Sequence, residues 1–212
     1  MIRNYGIIRD SAQHLAQAAE RTTELLVERA VEQEPAFTDR MLGRIEQAME
    51  GYEVNGVRWK AKTLTDRGRG SQESKYGADF MGVLQISLID YRVDKGFLAQ
   101  SKLVEPNELM AKKDIADMKD QCEKMLKLSP DSFVFLYSTQ GIRVVPALSV
   151  LNGDSRNPHD YYSRSVSAFF ELHFECFIGD RKIGAPKIEA LEKLRADNDA
   201  RSLLYLGATV VS

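Results

Sequence analysis

Apolar positions along the chain keep two periods, and the change from one to the other marks where the elements change. From Ser11 to about Glu34, Leu15, Ala18, Ala19, Thr22, Leu25, Leu26 and Ala30 make one narrow stripe between charged residues. That spacing predicts a helix capped by Ser11 and ended by Pro35. Met41, Leu42, Ile45, Ala48 and Met49 keep the same period after Thr38, a second candidate cap, and Gly51 closes a shorter helix. From Tyr52 to Thr65 the period drops to two around an Asn55-Gly56 turn signal, which reads as a strand pair or one bent strand with Trp59 in the core.

A polar, glycine-rich loop, DRGRGSQES from Asp66 to Ser74, then leads into two strongly apolar strands, GADFMGVLQISL and KGFLAQSK. The IDYRVDK stretch between them, Ile89 to Lys95, is a hairpin or a wider excursion. Pro106 suits a first helical position, and Ile115, Met118, Cys122 and Met125 carry helical spacing to about Leu128. FVFLY and IRVVPALSV read as strands, with Pro146 at an edge or a bulge, and Asn152 to Tyr162 as a loop. A helix from about Arg164 to Ile178 puts Val166, Phe169, Phe170, His173 and Phe177 on one face, with Gly179 as its stop. Pro186 opens a short helix, and SLLYLGATVV is a final strand. Strands interspersed with helices predict an α/β fold with a mixed central sheet flanked by helices.

Composition narrows the classes. The 212 residues, 43% of them hydrophobic, suit one globular unit, with 1–35 as an N-terminal helical extension on a body of 36–212. Lys and Arg number 29 against 31 Asp and Glu, so no global basic field attracts nucleic acid and any such contact needs a local cluster. Cys122 and Cys176 have no paired spacing, which suggests free buried thiols in a reducing compartment. No apolar run reaches membrane-spanning length and MIRNYGIIRD has no signal-peptide core, so the expected location is cytoplasmic, with no membrane partner.

The chemistry concentrates between Lys75 and Lys102. A period of two points Gln100 and Lys102 to one face of their strand and Ser101 to the other. A lysine closing an apolar strand needs an anion, because a charge taken from water must be paired. Asp79 on the neighbouring strand is the candidate. Arg67, Arg69 and Lys75 flank the glycine-rich loop and suit phosphate contacts, the alternative being a solvated loop. RGRGS lacks the Gly-Lys-Ser/Thr ending of a P-loop. Arg156, His159, Tyr161 and Tyr162 form a second cluster, suited to stacking on bases, to closing over the site or to no more than a loop. His173 and Cys176 have zinc-like spacing without a second ligand pair and read as core, as do Met118 and Met125.

The order helix, strand, strand with Asp79, strand with Gln100-Ser101-Lys102, helix, strand resembles the core of the PD-(D/E)xK nuclease superfamily. Gln100 in place of Glu resembles its Mrr-like restriction endonuclease branch. The resemblance covers roughly Glu34 to Val150, and implies a restriction-endonuclease-like αβββαβ core within 36–212. It implies a magnesium-dependent deoxyribonuclease, with manganese as an alternative ion. Asp79 would be a metal ligand, Gln100 a ligand through its amide oxygen, the Ser101 carbonyl a helper, and Lys102 the group that orients water and stabilises the phosphate. Ala78 stands where the family's proline would, and the neutral Gln100 calls for another acid. Glu73 is one candidate; among Glu34, Asp39 and Glu46 of the first core helix, Asp39 is preferred. The implied partner is DNA, in restriction or anti-phage defence. The phenylalanine-rich helix offers a face for a homodimer or a partner subunit. The competing expectations are an inactive nucleic-acid-binding module and a structural subunit of a larger complex.

Overall fold

A computed structural model describes residues 2–65, 77–89, 91–184 and 188–211. The fold is α/β: one mixed sheet of eight strands with helices on both faces. In chain order the elements are α1 (Ile2–Glu20), α2 (Glu24–Val27), α3 (Glu34–Met49), β1 (Glu53–Val54), β2 (Val57–Thr65), β3 (Ala78–Ser87) and β4 (Arg92–Leu103). There follow α4 (Lys112–Leu128), β5 (Ser132–Ser138), β6 (Gly141–Pro146), α5 (Ala147–Asn152), β7 (Arg164–Ser165), α6 (Val166–Phe174), α7 (Leu191–Asp197) and β8 (Ala200–Val210).

Across the sheet the order is β1-β2-β8-β3-β4-β5-β6-β7. The C-terminal strand is therefore central, antiparallel to β2 and parallel to β3. It is apolar throughout its middle because both of its faces are covered. Asn55 and Gly56 both take positive φ, as the hairpin turn between β1 and β2 requires. One face of the sheet packs on α1, α3 and α6 around Phe80, Phe97, Phe133, Phe135, Phe169 and Phe170. Gly82 makes room for this cluster, since a Cβ there would meet the Phe97 ring at 2.2 Å. The other face packs on α4, α5 and α7 through Met81, Leu98, Met118, Cys122, Met125 and Leu203.

Several boundaries differ from the sequence pattern. The first helix ends at Glu20, and Pro35 helps to start α3 rather than to stop its predecessor. Proline costs nothing there, because first-turn amides have no intrahelical acceptor. Ser11 and Thr38 lie inside helices instead of capping them; the Ser11 hydroxyl is buried without a partner, and Thr38 donates to the Glu34 carbonyl one turn back. Pro106 opens a turn, and α4 begins only at Lys112. Pro146 ends β6, and the residues after it form α5 in place of more strand. α6 is shorter than its pattern: Ser165 caps its start and Cys176 turns the chain away at φ 71°. Phe169, Phe170 and Phe174 are consumed by the chain's own core, whereas Phe177 and Cys176 are exposed. No helix among the described residues is long and apolar enough to cross a membrane.

Candidate functional site

Asp79 is the second residue of β3, and Lys102 is next to last in β4. The two strands are antiparallel, so their register brings the start of one beside the end of the other. There Asp79 Oδ2 accepts from the Ser101 amide at 2.8 Å and from the Ser101 hydroxyl at 2.6 Å. With the Gln100 amide turned to satisfy both of its ends, its nitrogen donates to Asp79 and its oxygen accepts from Gln121 Nε2 at 3.1 Å. Gln100 is fully buried. It sits behind Asp79 as a brace, its oxygen taken by Gln121, which differs from the amide-oxygen ligand expected at this position.

The alternation along β4 sends Gln100 to α4 and Ser101 to the opposite helix layer. Ser101 Oγ lies 3.1 Å from the Thr38 hydroxyl of α3, which also lies 3.1 Å from the Tyr137 hydroxyl. The two residues before Lys102 are thus tied into the core, which fixes the backbone that carries it. Lys102 Nζ itself donates to Glu34 Oε1 at 3.2 Å, and the Leu103 amide donates to Glu34 Oε2 at 2.9 Å. Burial pushes the Glu34 carboxyl above the usual range; Lys102 and the Leu103 amide oppose the shift, and Asp79 adds to it.

These groups open on a cleft of about 600 Å³ lined by Glu34, Asp79, Lys102, Glu108, Asp114, Asp117 and Gln121, among others. Asp114, Asp117 and Gln121 lie three and seven positions apart on α4, so one helix face supplies all three. Five carboxylates and one lysine make the cleft cation-attracting. The roof is the turn between β4 and α4. Arg156 donates to the Met110 carbonyl through two nitrogens at 2.9 and 2.7 Å, and His159 Nε2 meets the Val104 carbonyl at 2.9 Å. Two members of the polar and aromatic cluster therefore fasten the roof, while Tyr162 is exposed and stacks with Arg164.

Asp39 is not part of this cleft. Its carboxylate pairs with Arg201 at 2.7 Å, because it lies more than a turn further along α3 than Glu34. Glu34 is the acid of α3 that lines the cleft; its place beside a helix-starting proline is the available signal. Asp114, Asp117 and Gln121 carry a spacing signal of their own, hidden among the many other charges of α4. Arg67, Arg69, Glu73 and Lys75 lie outside the described residues. Among the described residues no three His, Cys, Asp or Glu side chains are grouped to hold a metal ion.

Comparison with family models, curated proteins and solved structures finds no match. His173, with its zinc-like spacing to Cys176, is enclosed by Phe97, Phe169, Phe170 and Phe174 and faces the Ile178 carbonyl at 3.0 Å.

Proposed function

We propose that the protein is a metal-dependent endonuclease-like enzyme that hydrolyses phosphodiester bonds in DNA. The observation that carries this reading is the meeting of Asp79, Glu34 and Lys102 in one cleft, with Gln100 and Ser101 bracing Asp79 from behind. The order α3, β2, β3, β4, α4, β5 is also that of the nuclease core which the sequence resembles, with Glu34 in the position of its helix acid. The restriction or anti-phage setting rests on the same resemblance.

The donors fit magnesium. Asp79 and Glu34 are two of the five carboxylates that line the cleft, and the buried Gln121 Oε1 on its wall has no hydrogen-bond partner. Magnesium is held by one or two carboxylates and completed by water and substrate phosphate oxygens, so a cage of three acids is not required. When bound, the ion supplies a polarised phosphoryl oxygen and an acidified water. The chain's own groups do the rest. Asp79 is held in one orientation by three donors, and Lys102 is placed to offset negative charge that grows on the phosphoryl oxygens. Glu34 keeps Lys102 at the mouth of the cleft and is itself a proton acceptor.

A second reading, a nucleic-acid-binding module without cleavage, is favoured by the closure of the network: Gln100 has both ends satisfied and Lys102 is already paired. Supercoiled plasmid and linear DNA incubated with magnesium or manganese, against a chelator control, separate the two. The enzyme reading expects cation-dependent nicking or linearisation; intact DNA under every condition leaves the binding module.

A further inference from the structure

The helix layer of α4, α5 and α7 leaves part of its face of the sheet uncovered. At the far ends of β2, β8, β3 and β4, away from the cleft, the register sets out two rows of residues: Arg58, Thr209, Ser87 and Arg92, then Lys60, Gly207, Gln85 and Asp94. Residues opposite one another in register share a face. Lys62 continues the line on β2, where Val57, Trp59 and Ala61 are buried while Arg58, Lys60 and Lys62 are exposed. Arg92, Ser87 and Thr209 are exposed as well. The 180–184 segment crosses β4 at Gly96 and brings Arg181 over the same face, around a hollow of about 390 Å³ that Gln85, Ser87, Arg92 and Asp94 also line.

We infer that this face docks the phosphate backbone of duplex DNA. Among the described residues five cations, Arg58, Lys60, Lys62, Arg92 and Arg181, stand against Asp94, Glu53, which pairs with Arg58, and Glu50, which accepts from the Ala61 amide between Lys60 and Lys62. That is a local excess of positive charge on a chain of net charge −2. Among the described residues Lys60 and Lys62 form no ion pair. The cations of β2 recur every second residue, roughly 6.8 Å, close to twice the roughly 3.4 Å axial spacing of phosphates along one DNA strand. Tyr205 lies flat across Gly207, its hydroxyl on Gln85, and is only 4% exposed. No aromatic ring therefore stands up from these rows to stack on an unpaired base, and the contact is to backbone, without sequence preference. The cleft, by contrast, is acidic, so this surface supplies the polyanion attraction that the cleft lacks. The inference rests on the nuclease reading for the choice of DNA as the polyanion.

Fluorescence anisotropy with a labelled duplex, in chelator so that nothing is cut, tests it on wild type, Lys60→Gln/Lys62→Gln, Arg92→Gln/Arg181→Gln and Arg40→Gln, an exposed cation of α3 in the opposite helix layer. Each double variant is expected to weaken binding about tenfold and to lower the log-log salt slope by about 2, while Arg40→Gln binds as wild type. Unchanged melting temperatures show that the exposed substitutions leave the fold intact. Wild-type affinity and slope in both double variants overturn the face, as does tighter binding to anionic vesicles or polyglutamate than to duplex. A wild type that binds no duplex overturns it too. Loss of binding in the double variants, with no cleavage by wild type under any metal, keeps the face and removes the nuclease reading.

Discussion

Glu34 holds Lys102 at 3.2 Å and the Leu103 amide at 2.9 Å, so the first residue of α3 is fastened to the end of β4. Glu34→Gln keeps the shape and removes the charge. Its expected effect on cation-dependent cleavage is a loss of at least about tenfold, since an acid or base group contributes roughly 10²-fold or more. Asp39→Asn, which breaks only the Arg201 pair, should leave cleavage within about twofold, because exposed pairs are worth roughly 1 kcal/mol or less. Rates of plasmid nicking by the two variants check the assignment of the helix acid.

Gln100→Glu places a carboxylate where an amide now donates to Asp79. In chelator it should destabilise the protein by about 1–3 kcal/mol, the cost of a lost buried bond and a like-charge contact. Magnesium or manganese should then raise the melting temperature of the variant more than that of wild type, since a ligand that binds only the folded state stabilises it. Thermal melts with and without cation measure both effects.

The hydroxyls of Thr38, Ser101 and Tyr137 tie three elements beneath the site. Tyr137→Phe should cost about 1 kcal/mol, because Thr38 keeps its other partners. Ser101→Ala removes a donor from Asp79 and should cost more, about 1–3 kcal/mol, with a matching fall in cleavage. Denaturant melts rank the two variants.

His173 is buried, and its imidazole is pushed down to about 3, first by burial and then by Lys95. Unfolded, it takes up a proton as pH falls through its ordinary value of 6.5; folded, it stays neutral until about 3. The unfolded chain therefore binds more protons across that window, and stability falls with pH by up to about 1.4 kcal/mol per unit from this group. His173→Phe suits the surrounding rings and should flatten the slope by that amount. Denaturant melts across the window give the comparison.

The fold class was legible because its strands are long and doubly buried: FVFLY and SLLYLGATVV have few other places to go. The centre of the site was legible for a similar reason, since Gln100 and Lys102 are polar residues inside an apolar strand. Glu34 does not stand out from Asp39 and Glu46 in the sequence because Pro35 reads as a stop for the helix before it, and a proline suits a helix start equally well when the preceding residue is extended. Asp114, Asp117 and Gln121 share their helix with so many charges that no single face stood out. The position of β8 between β2 and β3 has no local signal at all; it follows from which apolar faces find one another.

The central claim is tested most directly by incubating purified wild type and Lys102→Ala side by side with plasmid DNA and magnesium or manganese. Cleavage by wild type alone, abolished by chelator, is the expected result. Equal behaviour of the two proteins, both inert or both cutting, contradicts it.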